Sequence, residues 1–282
     1  MAFTLLESLP PVLEQALAEL RVAVAAQPAV VVAYSGGVDS ALVAAIAVEQ
    51  LGARAQAITG VSPALAPHLR AEARDQARWL GIAHREVPTA ELSDPAYAAN
   101  PDNRCYACKR ELHSLLAPIA AAAGGAVVLD GVNRDDLGDH RPGIQAAREH
   151  GVRSPLADCG IDKAGVRQLS RALGLPWWDK PANPCLASRF PYGEPITAQR
   201  LTRVAAAEDW LRQRGFPELR VRSQGQTARI ELPADRLSAA LAQWGDAGLR
   251  QELVVAFREL GFTAVALDLE GLVSGKLNRD IQ

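Results

Sequence analysis

A chain of 282 residues suits one large or two small domains, and 49% hydrophobic residues can bury a real core, which excludes a disordered class. Its 30 basic and 32 acidic residues leave a net charge of −2, so the broad positive field that a large nucleic acid requires is missing and no nucleic-acid partner is expected. No apolar run reaches membrane-spanning length, and the start MAFTLLESLPPVLEQALAEL has acidic residues and no basic n-region, so neither a membrane partner nor a signal peptide is expected and the chain reads as cytoplasmic.

Apolar residues at helical spacing from Leu5 to Ala26 predict a helix packed outside a sheet. Val30 to Tyr34 is apolar and β-branched, the form of a buried parallel strand, and from Ala41 onward the chain is helix-forming. RAQAITGVSP predicts a second strand and a loop, Leu65 to Leu80 a helix ended by Gly81, AHREVPT a third strand and GAVVLDGVN a fourth. This alternation predicts an α/β fold with a doubly wound parallel sheet. From Asp94 to Arg110 the composition turns polar and Pro-rich, and Cys105 and Cys108, three apart, enter a helix. Trp177 to Thr197 holds too many prolines for a regular element and reads as an ordered loop. Ala198 to Arg214 is helical, LRVRSQGQTARIEL reads as a hairpin turning at Gly225, and a helix and strand lead to LDLEGLVSGKLN, a small α+β domain. The expected organisation is residues 1–180 as the α/β domain, 181–197 as a cysteine-bearing loop, and 198–282 as an α+β domain for substrate binding or assembly.

Between the first strand and its helix stands SGGVDS, Ser35 to Ser40. A turn at a strand's carboxyl end, opening a helix, offers unpaired N–H groups and a positive dipole end to an anion. Gly36 and Gly37 remove Cβ atoms that would block close approach, and the hydroxyls of Ser35 and Ser40 add donors. Asp39 suits a hydrated magnesium ion (Mg2+) bridging phosphates, and equally suits a helix start. No Gly-Lys-Ser/Thr follows, so this is not a Walker loop; it resembles the pyrophosphate loop of the ATP pyrophosphatases. That resemblance implies attack on the α phosphorus of ATP, with the loop holding the departing pyrophosphate. Asp135, Asp136 and Asp139, in LDGVNRDDLGDHRPG, are expected at the same sheet edge as Asp39.

Four cysteines in a reducing compartment read as ligands, nucleophiles or small core residues rather than disulfides. Taken in order, the pyrophosphate loop, Cys105-x-x-Cys108, DGVNRDDLGDHRPG, GVRSPL, LPWWDKPANPCLASR and ARIEL resemble the LarE family of ATP-dependent sulfur-insertion enzymes along nearly the whole chain. The segment running from CLASR to PYGEPIT is the most specific of these. The resemblance implies that the substrate is a small-molecule nucleotide, pyridinium-3,5-biscarboxylic acid mononucleotide, whose two carboxylates become thiocarboxylates on the way to the nickel-pincer nucleotide cofactor.

A carboxylate resists attack because oxide would have to leave, so ATP must first convert one oxygen to AMP; a sulfur nucleophile then displaces AMP. The thiolate of Cys185 is the candidate, with Arg189 to stabilise it and Ser188 to hold it. A substrate with one phosphate and two carboxylates needs forked donors, and Arg220 and Arg222 alternate with Val221, which puts both on one face of a strand, with Arg189 as a third. Glu208 and Glu231 are expected to orient these arginines, to bind a metal, or to be ordinary surface residues.

Cys105, Cys108 and Cys185 give three thiolates, one short of the usual four. In the subgroup with this pattern a 4Fe-4S cluster leaves one iron open to carry sulfide from a donor; members without the pair give up the sulfur of the single cysteine and keep dehydroalanine. The three-cysteine pattern points to the cluster, against zinc or a thiol-redox pair. Cys159, in ADCGIDK, lies outside the motifs, and Gln224 stands where a histidine is common in such sequences. A tRNA thiolase, an amide-forming synthetase and a non-catalytic nucleotide sensor are the rival readings; a homo-oligomer is expected.

Overall fold

Val30–Ala33 is a strand buried along its whole length and paired in parallel on both sides, the arrangement its unbroken apolar run predicts. The structure, a computed structural model, describes residues 3–138, 142–273, 275, 276 and 279; Asp139 lies outside the described residues. Its first elements are α1 (Pro11–Ala25), β1 (Val30–Ala33), α2 (Val38–Leu51), β2 (Ala55–Val61), α3 (Pro67–Leu80), β3 (Ala83–Pro88), α4 (Pro95–Ala98), α5 (Arg104–Ala122) and β4 (Val127–Leu129). There follow α6 (Pro142–Glu149), α7 (Pro155–Asp158), α8 (Lys163–Ala172), α9 (Ala198–Arg212), β5 (Arg220–Gln224), β6 (Thr227–Glu231), α10 (Leu237–Gly245), α11 (Ala247–Glu259) and β7 (Ala264–Leu267). No helix among the described residues is long and apolar enough to cross a membrane.

The chain divides into two compact units, Met1–Glu91 with Asn103–Asn183, and Leu92–Asp102 with Pro184–Gln282. In the first, four parallel strands run in the order β3-β2-β1-β4. The chain winds outward from β1 to β3 and then returns to the other side of β1, so the carboxyl ends of β1 and β4 flank the point where winding reverses. Ligands of open α/β sheets bind at such a point. The helix α2 follows β1 and is buried on nearly every face; Ala41, Ala44, Ala45 and Ala47 have no exposure, and their small side chains let α1, α8 and the sheet close on it. Beyond β4 the sheet is extended by an isolated bridge from Leu129 to Arg153, in the GVRSPL segment.

The first helix begins at Pro11 rather than near Leu5. Pro11 occupies its first turn, where a missing N–H costs nothing, and the residue before a proline is pushed out of helical geometry, so Pro10-Pro11 is a start signal.

The second unit holds a sheet of order β5-β6-β7, with β5 and β6 an antiparallel hairpin and β7 parallel to β6. The connection to β7 is two helices rather than one, because Asp246 accepts from the N–H groups of Gly248 and Leu249 and caps a new start. Leu92–Asp102 is tied into this unit by Asn100, the one non-glycine with positive φ (57°) among the described residues. Its Nδ2 donates to the carbonyl of Pro191 at 2.7 Å, and its own carbonyl accepts from Gly193 at 2.9 Å.

His113, on α5, is 2% exposed and neither ring nitrogen has a hydrogen-bond partner. Burial, aided by Lys109 and His150, pushes its pKa from 6.5 to about 3. The native state therefore holds it neutral, while the unfolded chain takes up a proton below the ordinary histidine pKa. Its neutral burial costs nothing above pH 6.5, and stability falls as pH drops from there toward 3, by up to about 1.4 kcal/mol per pH unit. Urea titrations across this range should show a shallower acid loss for His113→Leu than for the wild type; parallel curves would refute the assignment.

Candidate functional site

The first constellation lies where β1 opens into α2. Gly36 has φ of +69°, and a Cβ there would stand 2.9 Å from the Cβ of Ala73 on α3, so both backbone conformation and space demand glycine. A Cβ on Gly131, just past β4, would stand 2.7 Å from the amide nitrogen of Ser40, so this glycine lets the β4 edge rest on the first turn of α2. The serines shape the loop itself. Ser35 Oγ accepts from the Gly37 N–H at 3.3 Å, and Ser40 Oγ accepts from the Ser35 N–H at 3.2 Å and lies 3.1 Å from Ser35 Oγ. Gly37 caps α2 without a side chain, which leaves the helix N-terminus open to a ligand.

Asp39 stands in the first turn of α2. Its Oδ1 accepts from Asn133 Nδ2 at 3.1 Å and its Oδ2 is 2.5 Å from Lys163 Nζ. Asn133 comes from the DGVNRDDLGDHRPG motif, where nothing singles it out, and Lys163 from the start of α8, which no motif marks. Asp136 accepts from the Asn133 N–H and Asp135 from the Lys163 N–H, each at 3.0 Å, so these two carboxylates hold backbone in place. Lys180, in the DKPANPC segment, donates to the carbonyl of Gly36 at 3.0 Å. It lies inside the LPWWDKPANPCLASR motif, in which the sequence singles out only Cys185, Ser188 and Arg189; a lysine next to a proline-rich strap is the available signal.

Cys105 and Cys108 lie on the first turns of α5, three residues apart and thus on one helix face; Cys105 is exposed and Cys108 half-buried. Cys159 is half-buried against the main core, and burial raises its thiol pKa, the setting of an inert cysteine. Among the described residues no three His, Cys, Asp or Glu side chains are grouped as a metal requires.

The second constellation lies wholly in the second unit. Cys185 is exposed and precedes a 3-10 turn, Leu186–Arg189. Arg189 is buried and forks onto Glu208, Nε to Oε1 at 2.7 Å and Nη2 to Oε2 at 3.2 Å, while its Nη1 donates to the carbonyl of Pro184 and to Ser188 Oγ, both at 2.9 Å. Ser188 Oγ lies 2.8 Å from the carbonyl of Cys185. Arg189 and Ser188 therefore bind the backbone that carries Cys185; none of these hydrogen bonds goes to its sulfur. Arg222 donates to Glu231 through Nε at 2.9 Å and to the carbonyl of Ser188 through Nη1 at 2.5 Å.

Glu208 and Glu231 are fully buried, not surface residues. Glu208 also receives Arg212 at 2.9 Å and the Val221 N–H at 3.0 Å, and Glu231 receives Arg229 at 3.2 Å. Burial alone would lift the Glu208 carboxyl, but Arg189, Arg212 and the Val221 N–H hold its pKa below the ordinary value. Both glutamates thus orient arginines. Arg220 is the exception in the set: it is 7% exposed and, while its backbone pairs with Glu231 in the ladder, its side chain makes no hydrogen bond or ion pair among the described residues. Burial, then the nearby Arg222 and Arg189, push its pKa down to about 10. It remains a cation at neutral pH, with its donors uncommitted.

Glu208→Leu should strand Arg189 and Arg212 and orphan the Val221 N–H, costing about 3 to 5 kcal/mol. Chemical denaturation would read this directly; a loss under about 1 kcal/mol would show that the pair is not what anchors the turn.

No family model matches the chain. An uncharacterised protein of Synechocystis sp. is 57% identical over 248 residues, 88% of this chain and 91% of its own length. The pyridinium-3,5-bisthiocarboxylic acid mononucleotide synthase of Lactiplantibacillus plantarum is 39% identical over 250 residues, 88% of either chain. A subunit of the glutamine-hydrolysing GMP synthase of Methanosphaerula palustris is 29% identical over 182 residues, 58% of this chain and 56% of its own length. Identity at the level of the Lactiplantibacillus synthase across almost the whole length, on a parallel α/β sheet with a small mixed-sheet unit, places the chain in the LarE family, that of the bisthiocarboxylic acid mononucleotide synthase.

Proposed function

We propose that this chain is an ATP-dependent sulfurtransferase that converts a carboxylate of pyridinium-3,5-biscarboxylic acid mononucleotide to a thiocarboxylate, in nickel-pincer nucleotide biosynthesis. The observation that carries this reading beyond family membership is the uncommitted Arg220 guanidinium, in a buried cluster with Arg189 and Arg222, whose forks are already spent on glutamates and on the Cys185 turn. A buried cation with free donors suits a small polyanion, and the fork geometry suits phosphate or carboxylate.

In this mechanism the open N-terminus of α2, with Ser35, Gly36, Gly37 and Ser40, receives the β and γ phosphates. Asp39 would hold Mg2+ on exchanging its partner Lys163, since a hard cation prefers one or two carboxylates plus phosphate oxygens. A substrate carboxylate oxygen attacks the α phosphorus, the bond to the bridging oxygen breaks, and pyrophosphate leaves. Arg220 binds the substrate's anionic groups, with Arg222 held beside it by Glu231, and sulfur attacks the acyl carbon while AMP departs with the former carboxylate oxygen.

Two sulfur sources fit different features. Cys105, exposed, and Cys108, half-buried, share one face of α5 and would supply two thiolates to a 4Fe-4S cluster, with Cys185 as the third ligand, although among the described residues the three are not grouped as a metal requires. Such a group would supply the sulfide. Alternatively Cys185, exposed at the head of its turn, attacks the adenylate itself; elimination across its Cα–Cβ bond then leaves thiocarboxylate and dehydroalanine.

Two measurements test these statements. Arg220→Ala should raise the apparent constant for the pyridinium substrate about ten- to hundredfold while leaving that for ATP within about twofold; equal effects would assign Arg220 to ATP or to structure. Anaerobically reconstituted protein should hold about four iron and four sulfide per chain, losing them in Cys105→Ala, Cys108→Ala and Cys185→Ala but not in Cys159→Ala. An iron-free sample that makes one thiocarboxylate while Cys185 loses the mass of one hydrogen sulfide would establish the sacrificial route instead.

A further inference from the structure

The segment Ser35–Ser40 contains one carboxylate and no lysine or arginine, so a polyphosphate held there meets N–H groups and hydroxyls but no cation from the loop. A Walker loop carries its lysine within itself. Here Lys180 comes to the loop from 144 residues away, its Nζ at 3.0 Å from the Gly36 carbonyl and 2.5 Å from Glu72 Oε2. Its side chain is 13% exposed and that of Glu72 is 45% exposed, so the lysine is drawn in and its partner faces solvent.

The strap that carries Lys180 is fixed at both sides. Arg167 of α8 donates to the carbonyls of Trp178 at 3.3 Å and Lys180 at 3.0 Å, and the Trp177 ring meets Trp79 edge-on at 5.2 Å between centroids. Trp79, Glu72 and the Ala73 against which Gly36 rests all belong to α3, so one helix sets the position of both loop and strap. The ammonium is therefore held at the loop's mouth before any ligand arrives, with a half-exposed ion pair as its resting contact. Such a pair is worth little, and several phosphate charges outweigh one solvated carboxylate.

We infer that Lys180 is the phosphate-binding lysine of this pyrophosphate loop, exchanging Glu72 for the β and γ phosphates of ATP and neutralising pyrophosphate as it forms. This rests on the proposed reading of the loop as an ATP site. No bond is made or broken in the exchange: one ammonium changes its anionic partner, and Glu72 is left to water.

The test is calorimetric titration of the full chain, without pyridinium substrate, by Mg2+ with ATP, pyrophosphate or AMP. Lys180→Met should weaken pyrophosphate and ATP about ten- to hundredfold and leave AMP within about twofold, and Lys180→Arg should restore most of the loss. Glu72→Gln removes the competing carboxylate and should tighten pyrophosphate about two- to fivefold, which a merely structural lysine would not produce. Unchanged pyrophosphate affinity in Lys180→Met, or an AMP loss equal to that for pyrophosphate, would overturn the inference. If Lys180→Met fails to fold, Glu72→Gln decides, and an unchanged or weaker pyrophosphate affinity there overturns it. Wild-type ATP binding that depends on Lys180 without thiocarboxylate formation would remove the sulfur-transfer reading and leave Lys180 assigned; thiocarboxylate formation indifferent to Lys180→Met would do the reverse.

Discussion

The Cys185 turn hangs from a carboxylate that no solvent reaches. Glu208 is buried on α9, and its desolvation is tolerable only because Arg189, Arg212 and the Val221 N–H together supply its oxygens with donors. Arg189, once fixed by that fork, has a remaining nitrogen that reaches the Pro184 carbonyl and Ser188. Glu231 does the same for Arg222, whose remaining nitrogen reaches the Ser188 carbonyl. Cys185 therefore inherits its backbone position from α9 and β6 rather than from its own proline-rich surroundings. Apolar side chains of equal volume commonly give as much stability as a buried ion pair, so this lattice is better explained by where it puts guanidinium groups than by stability alone.

Much of the architecture is legible in the sequence for a simple reason. Parallel strands buried on both faces require unbroken apolar runs, and Val30–Ala33 is such a run, while the SGGVDS turn marks the passage into α2. The small mixed sheet is likewise announced by the alternation in RVRSQGQTARIEL, with Gly225 in its turn at a φ of +56°. Local signals fail where the decisive contact is distant. Nothing near Leu92–Asp102 says that it belongs with the second unit, because the tie is Asn100 reaching Pro191, 91 positions later. The split between α10 and α11 is local in origin, carried by one capping aspartate, yet a continuous apolar pattern hides it.

The candidate site divides the same way. The pyrophosphate loop, Cys185, Ser188, Arg189, Arg220 and Arg222 stand out because residue type and spacing carry the chemistry. What they do with their hydrogen bonds does not stand out. Arg189 lies four residues from Cys185, as a thiolate partner would, but its fork goes to Glu208 and its third nitrogen to backbone. Asp135 and Asp136 stand out as a row of acids expected at the edge of Asp39, and each accepts from a backbone amide. Asn133 and Lys180 lie inside segments that carry the family resemblance and Lys163 outside them, but the role of all three shows only through what folding brings to the loop. A lysine in a sequence is a solvated charge by default.

A chain of net charge −2 that bound ATP and a second polyanion, as proposed, would have to make its positive potential locally. The two units do so in opposite ways. Around the loop, Lys163 and Lys180 rest on Asp39 and Glu72, so each cation is masked by a carboxylate, and phosphate binding as proposed would be an exchange of partners. In the arginine cluster the masking is incomplete by construction. Glu208 and Glu231 neutralise Arg189 and Arg222, and Arg220 remains, desolvated and repelled by both neighbours until its pKa falls to about 10. An anion that paired with it would offset that repulsion. Under the proposed reading, selectivity for an anion at this cluster would follow from that uncompensated charge.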